Sequence, residues 1–363
     1  MHEIIVGKDD KAYRVYLENT MDRFLGALKE YKINRENKIF LITDDLIYTT
    51  YKNSIDNLKK RIPFEIFYFK NGEDRKNIDT VKKIYDFLIE KKAHRQSILI
   101  ALGGGVVGDL VGFVASTYMR GIRYINIPTT LLSQVDSCIG GKVAFNYGGI
   151  KNVIGDFYDP EFVYISLNFL KTLDEKEVLN GLGEIIKYGL ISDGKLLNFL
   201  NENAAQLLNL EHDKLVHVIL ECLKIKNKIV VQDTRDLNLR NVLNFGHTIG
   251  HGVEVDSRYK VSHGVAVALG ILVAIKLSEI KLGLNESIYD KLQNLYRKLG
   301  LPTSYKVDNY KSFMYSINRD KKNINENINM VLLEDIGKFK IKVIVKAEDI
   351  LNALKLSINK EDQ

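Results

Sequence analysis

From residue 38 to residue 102 the apolar positions switch repeatedly between two periods. Ile39-Phe40-Leu41-Ile42, closed by Thr43 and Asp44, is an unbroken apolar run of strand length. Leu46 to Lys60 then follows a helical pattern, Phe64 to Phe69 reads as a second strand, and Ile78 to Lys91 sets Val81, Ile84, Tyr85, Leu88 and Ile89 at helical spacing. Ser97 to Leu102 is a third strand-like run, and a cluster of glycines follows it directly. Strands alternating with helices predict a mostly parallel sheet with helices on its faces. Such sheets take ligands in the crevice beyond the carboxyl ends of their strands. Thr43-Asp44, the glycine cluster and Pro128-Thr129-Thr130 are predicted to stand there. Past about residue 165 helical spacing dominates, from Asp174 through Leu282, broken by the polar stretch Asp233 to Asn241. A short β-like pair, Asn327 to Leu333 and Lys338 to Val345, precedes a last helix near Glu348 to Leu356. The expected fold is an α/β Rossmann-like nucleotide domain over residues 1–168 and a mainly α-helical metal- and substrate-binding domain over residues 169–363, with the active site in the cleft between them.

Composition narrows the function classes. The chain has no uninterrupted apolar run of membrane-spanning length, so no membrane span is expected. Met1 to Gly7 lacks the basic and apolar segments of a secretory signal, which makes the cytoplasm the expected location. Cys138 and Cys222 lie far apart among apolar neighbours and read as reduced small hydrophobes. The net charge of +6 is dispersed, with no aromatic-interleaved basic tract. That balance suits a small anionic substrate and not nucleic acid.

Two groups of residues carry chemistry. Gly103-x-Gly105-x-x-Gly108 has dinucleotide spacing and stands where a strand passes into a helix. Glycines there let backbone approach a pyrophosphate, and the helix N-terminus supplies free N–H groups and a positive dipole end. Glycine-rich turns of this kind also arise for close strand–helix contact alone. The acidic residue expected about 20 residues further on is absent, since the chain there reads Arg123-Tyr124-Ile125-Asn126; Asp44 is the alternative ribose partner. The second group is Glu184, His247, His251 and His263. His247 and His251 are spaced i, i+4 on a predicted helix, so spacing alone would make both of them ligands. Two histidines and a carboxylate with an open position form a catalytic zinc pattern. Arg120, Lys142, Lys151, Lys187, Lys226, Arg240 and the cluster Arg319-Asp320-Lys321-Lys322 accompany these sites, several in glycine- or asparagine-containing junctions suited to a phosphorylated substrate.

The runs Ala101 to Leu110 (ALGGGVVGDL), Pro128 to Asp136 (PTTLLSQVD), Gly140-Gly141-Lys142, Lys151-Asn152, Glu184 to Gly189 (EIIKYG) and Leu243 to Thr248 (LNFGHT), in this order, resemble the 3-dehydroquinate synthase family. The likeness runs from about residue 40 to about residue 340. The wider group includes glycerol dehydrogenases, iron-dependent alcohol dehydrogenases and sugar-phosphate cyclases, and Ser133 to Asp136 with Asn244 to His247 resemble the cyclase branch. The resemblance implies a lyase that turns a small phosphorylated sugar acid, 3-deoxy-D-arabino-heptulosonate 7-phosphate, into 3-dehydroquinate and phosphate, with NAD and Zn2+ or Co2+ as cofactors. It implies Glu184, His247 and His263 as metal ligands and His251 as a substrate-site histidine, which overrules the spacing argument. Asp136, Lys187, Lys226, Arg240 and Asn244 match positions around the ring hydroxyls and carboxylate. Arg120, Lys142, Asn152 and one of Lys321 or Lys322 match the phosphate side, with Arg120 reaching a neighbouring subunit, hence a homodimer. For NAD the matching positions are Asp44, Gly72, Glu73, Lys76, Gly104, Gly105, Val106, Val107, Gly108, Asp109, Thr129, Thr130, Lys142, Lys151 and the turn Phe169, Leu170, Lys171, Thr172.

Three positions depart from the family pattern. Val265 stands where a glutamate is usual beside His263, which either loosens the orientation of that ligand or removes a surface charge. Cys138 in place of serine and Gly183 in place of alanine read as tolerable. The rival readings are another sugar-phosphate cyclase such as a 2-deoxy-scyllo-inosose or valiolone-type synthase, a simple polyol dehydrogenase, and an inactive relative that only binds ligand.

Overall fold

The computed structural model describes residues 2–8, 12–317 and 327–359. The chain divides into two compact units, Met1–Thr172 and Leu173–Gln363.

In the first unit, chain order runs β1 (His2–Val6), β2 (Tyr13–Glu18), α1 (Phe24–Glu30), β3 (Ile39–Asp44), α2 (Asp45–Arg61), β4 (Glu65–Phe69), α3 (Ile78–Glu90), β5 (Ile98–Gly103), α4 (Gly105–Thr117), β6 (Arg123–Pro128), β7 (Lys142–Tyr147), β8 (Ile150–Phe157) and β9 (Phe162–Ser166). Seven strands form one sheet in the order β1-β2-β9-β6-β5-β3-β4, parallel throughout except for β1 against β2. The central strands β3 and β5 are buried at every residue, as the unbroken apolar runs require. Their side chains alternate between two cores. Ile39, Leu41, Ile98 and Ile100 join the cluster containing Phe24, Leu28 and Ile55 of α1 and α2; Phe40, Ile42, Leu99 and Ala101 join Val81, Ile84, Leu110 and Val114 of α3 and α4.

Strand order places the reversal of direction between β3, which leads outward to β4, and β5, which leads the other way to β6. Thr43 Oγ donates to the Leu102 carbonyl at 2.7 Å and ties the carboxyl ends of these two strands together at that point. Asp44, the glycine cluster and Thr129-Thr130 all follow strand ends there, as predicted. Sequence periodicity missed β1, β2, β9 and the β7–β8 hairpin. β8 is exposed at nearly every position, so it carries no alternation between apolar and polar faces.

The second unit contains α5 (Glu175–Ile191), α6 (Lys195–Glu202), α7 (Ala204–Leu208), α8 (His212–Gln232), α9 (His247–Asp256), α10 (His263–Leu282), α11 (Ser287–Lys298), α12 (Tyr310–Ile317), the antiparallel pair β10 (Ile328–Asp335) and β11 (Lys338–Val345), and α13 (Ala347–Ser357). Helix α10 is buried on nearly all sides, which explains its lack of a polar stripe, and packs on α5, α9, α13 and β10. Where α5 crosses α10, Gly183 meets Gly264 so closely that a Cβ at 183 would lie 1.9 Å from the Gly264 carbonyl oxygen. Gly183, which the sequence presents as a tolerable replacement, therefore stands with Gly264, whose own Cβ would lie 1.8 Å from the Asn180 carbonyl oxygen, at a close crossing of two helices that each carry a candidate metal ligand. Among the described residues, no helix is long and apolar enough to cross a membrane. The α/β first half and helical second half are as expected.

Candidate metal centre and dinucleotide site

Three elements of the second unit deliver the metal-type side chains. Glu184 lies on α5, one residue from the Gly183 crossing, and is fully buried. His247 opens α9 after Gly246, whose φ of +79° is a left-handed conformation that glycine adopts without strain. His263 opens α10 beside Gly264. The Nε2 atoms of His247 and His263 each lie 3.4 Å from the same oxygen, Oε1 of Glu184. The other oxygen, Oε2, contacts the buried ammonium of Lys187 one helical turn on. One ligand atom from each of Glu184, His247 and His263 lies within 4.8 Å of the others.

What stands behind each imidazole decides its orientation. Nδ1 of His247 faces the Phe245 carbonyl at 3.2 Å, and Nδ1 of His263 faces Oε2 of Glu254 at 3.3 Å. A carbonyl and a carboxylate are both acceptors, so each Nδ1 is the donor and each Nε2 is turned to Glu184. Burial pulls His247 down to about 3 against the raising field of Glu184, leaving the neutral ring that ligates metals. Burial acts the same way on His263, but hydrogen bonds to Glu184 and Glu254 outweigh it and hold that ring at about 9. Two carboxylates converging on one half-buried imidazole recruit a positive charge. A neutral His247, a buried carboxylate and this demand for positive charge at His263 fit a divalent cation, which would take the place of the proton on Nε2.

Spacing i, i+4 along α9 does not carry His251 into the same group. Its ring stands perpendicular to that of His247, 6.0 Å away between centroids, and a ring nitrogen clusters instead with Glu254 and His263. Glu254 was not singled out from the sequence. The available signal was its position: His247, His251 and Glu254 are related by i, i+4 and i+7, one face of a helix.

Of the cationic residues expected at the substrate, Lys187, Lys226 and Arg240 are buried in the second unit. Arg240 donates from Nη1 to the Thr234 carbonyl at 2.9 Å, and its backbone N–H donates to Asp233, whose carboxylate also accepts from Leu237 and Asn238. Asp233 thereby shapes the polar stretch that interrupts the helices. Asn244, exposed, ends the short 3₁₀ turn before α9. Lys321 and Lys322 lie outside the described residues.

In the first unit, α4 begins at Gly105 with Gly104 as its N-cap and no side-chain cap. Its first-turn N–H groups are of the kind that hold a pyrophosphate. None of the glycines from 103 to 108 has a positive φ. Gly103 is needed for closeness, since a Cβ there would lie 2.5 Å from Val107. Asp44 is buried at the end of β3 and caps α2 by accepting from Ile47 N–H at 2.9 Å; burial raises its carboxyl above the ordinary range. Thr129 is buried, and Thr130 bonds Ser133. Gly72 (φ +129°) turns the chain into Glu73, which accepts from Asn146 at 2.9 Å.

Lys76 is a junction. Its buried ammonium donates to Asp109 of α4 and to Asn152 of β8, each at 2.5 Å, so two residues expected at NAD and one expected at phosphate form a single network. Asn152 holds a φ of +52°, and its N–H donates to Asn146 Oδ1 at 2.9 Å. Val107, Phe169 and Leu170 are buried in apolar surroundings, which leaves only their backbone for a ligand; Lys171 is exposed, and Thr172 bonds Tyr51. Asp136 lies in a π-type turn, Ser133–Ser137, half-buried, while Lys142 at the head of β7 is exposed and Lys151 half-exposed. Arg120 is exposed, and both it and Met119 hold left-handed conformations (φ +66° and +51°), a local strain.

Sequence comparison bears on these sites. The family description 3-dehydroquinate synthase N-terminal matches residues 66–180, and 3-dehydroquinate synthase C-terminal matches residues 181–323. The chain is 56% identical over 359 residues to 3-dehydroquinate synthase of Clostridium tetani, covering 99% of this chain and 96% of that protein. It is 42% identical to the enzyme of that name from Thermoanaerobacter pseudethanolicus, over 98% of this chain and all of the relative. Among solved structures it is similar to 2-deoxy-scyllo-inosose synthase complexed with carbaglucose-6-phosphate, NAD+ and Co2+ (TM-score 0.87, 24% identity, 98% of this chain and 100% of that one). It is also similar to 2-epi-5-epi-valiolone synthase of Streptomyces hygroscopicus with NAD+ and Zn2+ bound (TM-score 0.85, 24% identity, 97% and 98%). At that identity the structural likeness speaks for the fold. Two matching profiles that together span most of the chain, and relatives of this identity along its whole length, place the chain in the 3-dehydroquinate synthase family.

Proposed function

We propose that the chain is a phosphate-eliminating cyclase that converts 3-deoxy-D-arabino-heptulosonate 7-phosphate to 3-dehydroquinate and phosphate, using NAD and Zn2+ or Co2+, as a cytoplasmic homodimer. The observation that carries this reading is the approach of two imidazole Nε2 atoms to one oxygen of Glu184, each at 3.4 Å, in a chain with this family's sequence throughout. Glu184, His247 and His263 would hold the cation, and the N-terminus of α4 with Asp44 would hold the dinucleotide. When bound, these groups supply a reversible hydride acceptor and an electrophile that acidifies a hydroxyl and polarises a carbonyl.

The remaining chemistry falls to side chains of this chain. Oxidation of the C5 hydroxyl acidifies the C6 proton, phosphate leaves, the ketone is reduced again, the ring opens and an intramolecular aldol addition closes the carbocycle. His251, which is not among the three ligands, is free of that duty and suited to carry protons. Lys187, Lys226 and Arg240 are buried cations matched to a substrate carboxylate and ring hydroxyls, with Asp136 and Asn244 as polar partners. Arg120, Lys142 and Asn152, with Lys321 or Lys322, are assigned to phosphate, whose own oxygens take the C6 proton. The enzyme then chiefly orients groups and stabilises charge.

The test is phosphate release from the heptulosonate phosphate by purified protein, with and without chelator, followed beside NADH absorbance. Metal-dependent phosphate release with no net NADH is expected. Accumulating NADH would indicate a dehydrogenase, and turnover only of glucose 6-phosphate or sedoheptulose 7-phosphate would indicate another cyclase.

A further inference from the structure

The three side chains of the candidate metal centre are not equally constrained. Glu184 is fully buried and held by Lys187, and His247 retains 13% of its side-chain exposure, whereas His263 retains 34%. Behind His247 stands a backbone carbonyl, which moves only with the chain. Behind His263 stands a side chain, Glu254, which is 3% exposed and 3.3 Å from Nδ1. Glu254 and His247 share helix α9, and His263 begins α10, so one rigid helix carries both a ligand and the strut for a ligand on its neighbour.

We propose that Glu254 is a positioning residue for the metal centre, locking the His263 ring with Nδ1–H toward α9 and Nε2 toward Glu184. This rests on the reading of Glu184, His247 and His263 as the metal site. A carboxylate hydrogen-bonded to the far nitrogen of a ligating histidine fixes its tautomer and ring angle and strengthens it as a donor. Position 265 next to the ligand is a half-buried valine in this chain, so no carboxylate comes from there. The same Glu254 has an oxygen within 4.8 Å of ring nitrogens of both His251 and His263, which places it between the histidine of the metal centre and the one expected at the substrate.

The experiment measures Co2+ affinity of metal-stripped full-length protein by competition with a chromophoric chelator, together with the visible spectrum of bound Co2+ and the Tm of the stripped protein. Glu254→Gln keeps shape and an acceptor but no charge; Glu254→Ala keeps neither. Expected are losses of about 10-fold and about 100-fold in affinity, an altered Co2+ spectrum, and a stripped-protein Tm close to native. Native affinity and spectrum in both variants, or a lowered Tm with unchanged affinity, would overturn the proposal. His263→Ala distinguishes the two layers of the argument. If it loses Co2+ while both Glu254 variants keep it, Glu254 has no positioning role and the metal site stands; if it too binds normally, the metal reading itself fails. Should the Glu254 variants not fold, histidine nitrogen NMR of the native zinc-loaded protein decides, with His263 assigned by its alanine variant. A proton on Nδ1 supports the proposal and a proton on Nε2 overturns it.

Discussion

Replacing Gly183 by alanine tests whether the α5–α10 crossing sets the geometry of the metal centre. Helix propensity alone favours the change, by about 1 kcal/mol for glycine to alanine in a helix interior. Against it, the new Cβ would fall 1.9 Å from the Gly264 carbonyl oxygen and 2.5 Å from its carbon, where contacts under 3.0 Å are essentially never seen. The obstacle is backbone, so it cannot rotate aside, and the helices must part by about 1 Å or more. Overpacking of this kind costs about 1–3 kcal/mol, sometimes more. The net expectation is a loss of up to about 2 kcal/mol, or up to about 8 °C in Tm for a unit of this size. Glu184 and His263 adjoin the two glycines, so separation of the helices widens the 3.4 Å gap between Oε1 and Nε2. Sites of this type tolerate displacements of only about 0.5 Å, and metal affinity should fall about 10-fold or more. The assay pairs thermal unfolding with Co2+ competition, using Gly26→Ala as control. Gly26 lies in α1 with nothing within 4 Å of its would-be Cβ, so that change should be neutral or slightly stabilising. A Gly183→Ala protein that gains stability as the control does, and binds Co2+ as tightly as native, would refute the reasoning.

Further outcomes follow from other contacts. His247→Ala and His263→Ala should each lose bound metal and phosphate release together, whereas His251→Ala should keep metal, counted by atomic emission, and lose turnover. Lys76→Met leaves Asp109 without its buried cation and Asn152 without its donor. Because Asp109 keeps 20% exposure, the cost should fall below the usual figure for a broken buried pair, at about 2 kcal/mol in urea unfolding, with weaker NAD binding by titration. Lys281 holds the Asp349 carboxyl below its ordinary range through a 2.6 Å contact joining α10 to α13. A depressed carboxyl contributes stability above its unfolded value of about 4 and loses it as pH falls through the lower folded value. Asp349→Asn should thus cost about 1 kcal/mol or less at neutral pH, because the pair is still partly open to solvent, and the difference from native should vanish in acid.

The parts of the fold that could be read from residues were those with one dominant environment. β3 and β5 are buried on both faces and therefore appear as unbroken apolar runs, and α3 turns Val81, Ile84 and Leu88 inward at helical spacing. β8, with most of its residues in solvent, has no such signature, and neither does the short, mostly exposed edge strand β1.

The sequence by itself determined the chemical inventory: a glycine-rich strand-to-helix turn, a carboxylate, three histidines and a set of cations in an order similar to one family. Tertiary structure alone decided how that inventory is divided. Helical spacing puts His247, His251 and Glu254 on one face of α9, but their partners come from two different helices, Glu184 from α5 and His263 from α10. His247 turns to Glu184, while His251 and Glu254 gather with His263, Glu254 at its Nδ1. No period in a single segment encodes such a division, because it depends on where Gly183 and Gly264 allow two other helices to cross.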